Sequence, residues 1–217
     1  MSSARARVLS LYGDSTLVTR AHVRVRWATC PFQAVAAEVP AAGRILEVGC
    51  GHGLLSLLLA VTSAGREVLG IDVDEDKLDA ARAAAVRADV AAEFEVSSGG
   101  ELPEGPWDGI AIVDVLYLLD AATQRELLAA CGAALAPGGT LVVKEMALVP
   151  RWKAAWNTAQ ETAAVRVLGI TAGHELTFLP PTELAGAMAG AGLQVRQRAL
   201  DRGYPHPHHL LVGRKPA

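Results

Sequence analysis

Arg44-Ile45-Leu46-Glu47-Val48-Gly49-Cys50-Gly51-His52-Gly53, running directly into the apolar stretch 54–61, sets the architecture of this chain. Ile45, Leu46 and Val48 read as a short buried strand that a glycine brings to an end. Gly49, Gly51 and Gly53 make a turn with no side chains in the way. A ligand can lie against its backbone N–H groups, at the positive end of the helix that follows. Many α/β folds hold a nucleotide on such a unit, so the unit alone specifies a ligand no more narrowly than that.

Composition limits the rest. The chain has 217 residues, enough for one domain with a sizeable core. Hydrophobic residues make up 51% and charged residues 20%, which is the balance of a globular protein. The net charge is −3, and the basic residues Arg5, Arg7, Arg20, Arg24 and Arg26 are scattered, so neither nucleic acid nor an anionic membrane is expected as a partner. Cys30, Cys50 and Cys131 are odd in number, far apart and form no CxxC pair. That argues for a reducing compartment and against a disulfide frame or a metal site. Residues 1–13 lack the apolar core of a signal peptide, and the apolar run 54–64 is too short to span a bilayer. The expectation is a cytoplasmic protein without membrane insertion. A homodimer is left open.

Working outward, residues 1–27 read as one or two short helices. Cys30-Pro31 starts another through Phe32, Val35, Ala36 and Val39, stopped by Pro40. This N-terminal part either covers a bound ligand or packs on the sheet. Downstream, strands are expected at 67–72, 92–97, 107–114 and 140–144. Between them, Asp74-Glu75-Asp76 charges the first turn of a helix carrying Leu78, Ala81 and Ala85 on one face. Leu127, Leu128, Cys131 and Leu135 mark a later helix, ended by Pro137-Gly138-Gly139. The alternation predicts βαβ units and a parallel sheet covered on both faces.

The last third differs. Trp152, Trp156, Ala159 and Ala163 form an apolar stripe that predicts a helix over 152–168. Pro180-Pro181-Thr182 opens a helix through Leu184, Ala187, Met188 and Ala191. Strands at 192–201 and His208–Arg214, joined by Gly203-Tyr204-Pro205-His206-Pro207, predict an antiparallel edge hairpin. The expected organisation is one domain over 1–217, with a helical cap (1–40), a cofactor-binding core (41–147), a substrate-side helical insert (148–180) and a last helix with the hairpin (181–217).

The letters around the turn narrow the ligand. A dinucleotide site asks for GxGxxG or GxGxxA, and the sixth position here is Leu54. Glu47 just ahead of the turn is unhelpful to a pyrophosphate but suits a cationic amino group, such as that of S-adenosylmethionine. Asp72 can accept from both ribose hydroxyls of either cofactor.

At this point a resemblance enters. Residues 45–53 resemble motif I of the class I S-adenosylmethionine-dependent methyltransferases. Asp72 matches that family's ribose-binding acid, and Val73 beside it would contact adenine. Trp107-Asp108-Gly109-Ile110 through Asp114-Val115-Leu116 is similar to the fourth-strand motif, and Leu135-Ala136-Pro137-Gly138-Gly139-Thr140-Leu141 to the approach to strand five. The resemblance implies an α/β, Rossmann-like three-layer sandwich with a seven-stranded, mostly parallel sheet in the order 3-2-1-4-5-7-6, strand seven antiparallel. It further implies S-adenosylmethionine as cofactor, S-adenosylhomocysteine as product, and a binding set of Glu47, Gly49, Cys50, Gly51, Gly53, Asp72, Val73, Ser98, Gly99, Asp114 and Val115. Ser98 is a departure, standing where many members carry an acid for the adenine amino group. The segment Asp114-Val115-Leu116-Tyr117 is not the (Asp/Asn)-Pro-Pro-(Tyr/Phe) motif of the nucleic-acid and protein-amide branches, and no acids cluster as a magnesium site.

The function expected is methyl transfer to a small-molecule acceptor, with apolar or aromatic acceptors among the candidates, by in-line displacement. Positioning supplies much of such catalysis, and a base is needed only where the acceptor must lose a proton. Tyr117, His206 and His174 are the candidate catalytic residues; each has a structural reading as a packing or hydrogen-bonding group. His208 and His209 accompany His206. Lys144-Glu145 read as catalytic or, as such pairs more often are, solvent-facing or locally paired. His52 is expected to be exposed, and Cys50 to be a small buried residue. Trp152 and Trp156 either dock their helix or offer an apolar face to the acceptor. Two rival functions stand beside this one: a nicotinamide-dependent oxidoreductase, and a binding protein or cyclase that keeps the cofactor without methylating.

Overall fold

The computed structural model describes residues 2–99, 101–146, 176–200, 203–204 and 207–217. Seven strands form one sheet: β1 (Gly43–Val48), β2 (Arg66–Asp72), β3 (Ala92–Val96), β4 (Trp107–Val113), β5 (Leu135–Met146), β6 (Gln194–Ala199) and β7 (His208–Arg214). Their order is β3-β2-β1-β4-β5-β7-β6. Pairing is parallel from β3 through β5, and β7 runs antiparallel to both β5 and β6. The Rossmann-like sheet and the edge hairpin read from the sequence are both present.

Among the described residues the α-helices are α1 (Ser2–Ser10), α2 (Leu17–Thr29), α3 (Phe32–Ala36), α4 (Leu54–Thr62), α5 (Glu75–Ala88), α6 (Ala121–Ala134) and α7 (Pro181–Gly190). They divide the apolar residues into two layers. Ala111 and Val113 of β4 face the layer built with α1 to α5, while Ile110 and Ile112 face the layer of α6 and α7. Successive strand residues point to opposite faces, so a central strand covered on both sides reads as an unbroken apolar run. Helix α4 is buried from Leu54 through Ala60. Each fully buried leucine there contributes about 1.5–3 kcal/mol relative to exposure.

Several boundaries differ from expectation. Helix α3 stops at Ala36 rather than reaching Val39, because the Glu38 N–H turns back to Val35 O at 3.0 Å and tightens the chain. Pro137-Gly138-Gly139 does not end α6; the helix stops at Ala134, and Leu135 already pairs with Trp107. The register then shifts between Trp107 and Gly109, and an irregularity in the ladder is where a strand accommodates proline. Strands β3 and β4 close one residue early, at Val96 and Val113. Strand β6 is confined to Gln194–Ala199. The helix expected over 152–168 lies outside the described residues.

Candidate functional site

The site begins where β1 ends. Gly49, Gly51 and Gly53 all adopt left-handed backbone, with φ of 71°, 52° and 74°. They differ in what surrounds them. A Cβ at Gly49 would lie 2.3 Å from Val115 Cγ2, and one at Gly53 would lie 2.7 Å from the Phe94 ring. At Gly51 the nearest atom is Lys77 Cδ, 3.9 Å away. Gly49 and Gly53 are therefore required by packing, whereas Gly51 presents bare backbone to open space.

Gly53 is the N-cap of α4 and has no side chain to cap with. Glu47 does this from the strand: its Oε2 accepts from Ser56 N at 2.8 Å and from Ser56 Oγ at 2.5 Å. Burial pushes the Glu47 carboxyl up to about 7, against the pull of the two Ser56 hydrogen bonds.

Asp72 closes the next side. Its Oδ2 accepts from Gly51 N at 2.7 Å and its Oδ1 from Asp74 N at 3.0 Å, which ties the turn to the end of β2. Val73 is 70% exposed. Ser97 N donates to Asp72 O at 2.8 Å and draws the end of β3 alongside, so that exposed Ser98 and Gly99 share a rim with Val73. Cys50 is buried, and burial raises its thiol well above the ordinary range.

The fourth wall is charged. Asp114 follows β4 with φ of 57°, a strained value for any residue but glycine, though one that aspartate tolerates better than most. Lys144 Nζ lies 2.5 and 2.6 Å from its two carboxylate oxygens, and Arg26 Nη2 of α2 lies 2.7 Å from Oδ2. Burial alone would raise the Asp114 carboxyl; Lys144 and then Arg26 hold it well below the usual carboxylate range. Glu145 accepts through Oε1 from Val115 N at 3.0 Å and Leu116 N at 2.8 Å, while its buried Oε2 has no hydrogen-bond partner among the described residues. Burial, then the nearby Asp114 charge, pushes Glu145 up to about 8. Lys144 and Glu145 are both buried, which corrects the solvent-facing reading of the pair.

The N-terminal helices lie over the turn. The Tyr12 hydroxyl donates to His52 O, and the His22 and His52 rings approach to 4.7 Å between centroids. His52 is half-buried rather than exposed, and burial with the neighbouring His22 lowers it to about 4. Neither Tyr12, His22 nor Arg26 stood out in the sequence. The one available signal was spacing: Val23, Arg26 and Trp27 fall on a single helical face, and Val23 and Trp27 are buried.

Of the candidate catalytic residues, Tyr117 sits in a 3-10 turn after β4, its ring stacked on Phe178 with centroids 5.2 Å apart and planes 8° from parallel. His174 and His206 lie outside the described residues, as do Trp152 and Trp156. His208 is buried, with Nε2 2.8 Å from Thr29 O. Among the described residues no three His, Cys, Asp or Glu side chains are grouped to hold a metal ion. No helix among them is long and apolar enough to cross a membrane.

The chain is similar to known methyltransferases in sequence and in fold. A family model described as a methyltransferase domain matches residues 45–139. The ubiquinone biosynthesis O-methyltransferase of Xanthomonas axonopodis pv. citri (strain 306) is 31% identical over 159 residues, covering 72% of this chain and 64% of that protein. The protein of the same name from Xanthomonas campestris pv. campestris (strain B100) is 32% identical over 166 residues, covering 75% and 67%. The chain thus spans roughly two thirds of the length of these curated relatives. An O-methyltransferase family protein from Burkholderia thailandensis superposes with a TM-score of 0.71 at 23% identity, over 91% of this chain and 58% of that one. The [4+2]-cyclase SpnF superposes with a TM-score of 0.65 at 17% identity, over 86% and 80%. At these identities the structural matches speak to the fold.

Proposed function

This chain belongs to the class I S-adenosylmethionine-dependent methyltransferase family, and from that premise we propose that it transfers a methyl group from S-adenosylmethionine to a small-molecule acceptor by in-line displacement. The observation that carries the choice of cofactor is the cap of α4. A dinucleotide needs that helix end for its pyrophosphate. Here the Ser56 N–H is already taken by Glu47, and a phosphate would meet a buried carboxyl. A ligand without phosphate meets no such conflict.

The residues present fit S-adenosylmethionine. Asp72 would hold the ribose hydroxyls, Val73, Ser98 and Gly99 the adenine rim, and the open backbone at Gly51 the approach of the chain between them. Asp114 and Val115 would border the methionine end. When bound, the cofactor supplies a methyl group already activated on a sulfonium, so orientation and dryness matter more than bond polarisation. Tyr12, buried and bonded to His52 O, would help to keep water from the turn. The stacked rings of Tyr117 and Phe178 offer an aromatic wall on the acceptor side, which suits an apolar or aromatic acceptor. The curated relatives are named O-methyltransferases, and an oxygen acceptor is the reading favoured here. A hydroxyl acceptor must lose its proton, and Tyr117 is the candidate base among the described residues.

Titration calorimetry with S-adenosylhomocysteine and with NADP tests the cofactor; binding of NADP alone sinks the proposal. A panel of phenols, carboxylates and amines, assayed for release of S-adenosylhomocysteine, then tests transfer. Tight binding with no release from any acceptor points instead to a protein that keeps the cofactor without methylating.

A further inference from the structure

The consecutive residues Lys144 and Glu145 both reach the loop after β4, although neighbours in a strand point to opposite faces of the sheet. Val142 belongs to the α1–α5 layer and Val143 to the α6–α7 layer, which places Lys144 on the first face and Glu145 on the second. The loop crosses the end of the sheet between them. Asp114 N donates to Lys144 O at 2.9 Å, the Asp114 carboxylate takes the Lys144 ammonium, and the next two N–H groups converge on Glu145 Oε1. The loop held in this way carries Val115, whose methyl group fills the space a side chain at Gly49 would occupy.

We propose that Lys144 and Glu145 form a two-sided clamp on residues 114–116, and that Glu145 is thereby a positioning residue for cofactor binding, acting through Val115 on the glycine turn. This rests on the cofactor reading above. It goes beyond that reading in assigning a role to a side chain that need not touch the cofactor.

The second oxygen of Glu145 supplies an independent handle. Oε2 is buried and has no hydrogen-bond partner among the described residues, and Glu145 lines a cavity of about 10 Å³ with Leu116, Tyr117, Gln124, Phe178 and Leu184, room for about one water molecule. With Oε1 accepting two N–H bonds, the proton of the neutral acid sits on Oε2. The groups around it are Asp114 beyond β4, Lys144 beside it on β5, Arg26 from α2, His208 and His209 from β7 (register partners of Met146 and Glu145) and Tyr117. Ionising Glu145 puts a second buried negative charge next to Asp114. The loop then relaxes away from Gly49.

The test uses the whole chain and two readouts. Calorimetry gives the Kd for S-adenosylhomocysteine from pH 6.5 to 9.5, and amide hydrogen exchange at Val115 and Leu116 reads the clamp without ligand. Glu145→Gln keeps the acceptor oxygen and replaces the hydroxyl with an amide; Glu145→Leu removes both. Expected at pH 7 are wild-type affinity for Glu145→Gln, and affinity lowered about tenfold or more for Glu145→Leu, with faster exchange at both amides. Wild type should weaken above pH 8, while Glu145→Gln should not. Val115→Ala, which leaves the clamp intact, should weaken binding without changing exchange at Leu116, and it serves where Glu145→Leu fails to fold. A folded Glu145→Leu that binds as wild type overturns the proposal and leaves the cofactor reading standing, as does a pH profile that Glu145→Gln shares with wild type. If wild type binds no S-adenosylhomocysteine, the cofactor reading and this role fall together, and the exchange data show whether the clamp itself exists.

Discussion

Replacing Lys144 with methionine is the sharpest probe of the charged wall. Lys144 is fully buried and its Nζ contacts both oxygens of Asp114, so Lys144→Met keeps most of the volume and removes one charge. Breaking one half of a buried pair costs about 3–5 kcal/mol, chiefly because the other charge is left without compensation. Arg26 still reaches Asp114 at 2.7 Å, so the loss should fall near the low end, about 3 kcal/mol. For a chain of this size that is a drop in Tm of about 6–12 °C. The companion change Asp114→Asn removes the orphaned charge and keeps a residue tolerant of left-handed backbone. The pair Lys144→Met/Asp114→Asn should therefore recover much of the loss, since Arg26 is 30% exposed and can turn to water. Urea denaturation followed by circular dichroism at pH 7 gives all four corners of the cycle. A coupling energy of about 2 kcal/mol is expected. Coupling below about 0.5 kcal/mol, or a single Lys144→Met more stable than wild type, would refute the claim that these charges depend on each other.

Three further outcomes follow from the site. Asp72→Ala should weaken S-adenosylhomocysteine binding by about 1–3 kcal/mol in calorimetry, because acceptors for charged hydrogen bonds are lost; an unchanged Kd would show that Asp72 is not the ribose ligand. Gly51→Ala should cost the fold only about 1–2 kcal/mol in denaturation, since only φ opposes it, yet should reduce cofactor affinity strongly, whereas Gly49→Ala should damage the fold outright through its 2.3 Å contact with Val115. Equal loss of stability in the two would remove the distinction between packing and ligand glycines. Glu47 is raised in the folded state, so between its unfolded value and about pH 7 the native protein holds a proton that the unfolded chain has released. Its stabilising contribution is complete at acid pH and declines as pH rises through that window, and Glu47→Gln should flatten this part of the Tm–pH curve; an unaltered slope would contradict the burial.

The sheet was legible because its strands carry their burial in their own letters. Ile45, Leu46 and Val48, or Ile110 through Val113, need no partner to be recognised. The order of the strands came from the resemblance. What escaped was set by contacts distant in sequence. Pro137-Gly138-Gly139 reads as a helix stop from local rules, and only the register with Trp107 and Gly109 shows that it lies within β5. Lys144 and Glu145 look like a surface pair until Asp114, Val115 and Leu116 arrive from β4. Glu47 reads from the sequence as a partner for a cationic amino group, and in the structure its carboxyl bonds Ser56. Its bond to Ser56 depends on how α4 folds back over β1, and two letters nine residues apart do not reveal that.

That cap bears on how the cofactor is recognised. The positive end of a helix is the usual attraction of a glycine turn for a nucleotide, and here Glu47 occupies part of it from beneath. Selectivity must then come from the rim. Two cations, Arg26 and Lys144, surround the single carboxylate of Asp114, while Glu145, raised to about 8, largely keeps its proton at neutral pH and Glu47, raised to about 7, is about half ionised there. The wall beside the turn therefore carries a net positive charge at neutral pH, and it loses that excess as Glu145 ionises. A ligand whose anionic group reaches this wall, while its polar ring hydroxyls reach Asp72, satisfies both ends without any demand on the helix. A dinucleotide places its charge in the middle, over Gly51, whose backbone N–H is already drawn toward Asp72. On the proposed reading, the distribution of charge around the turn, more than the glycines, would separate the two ligands.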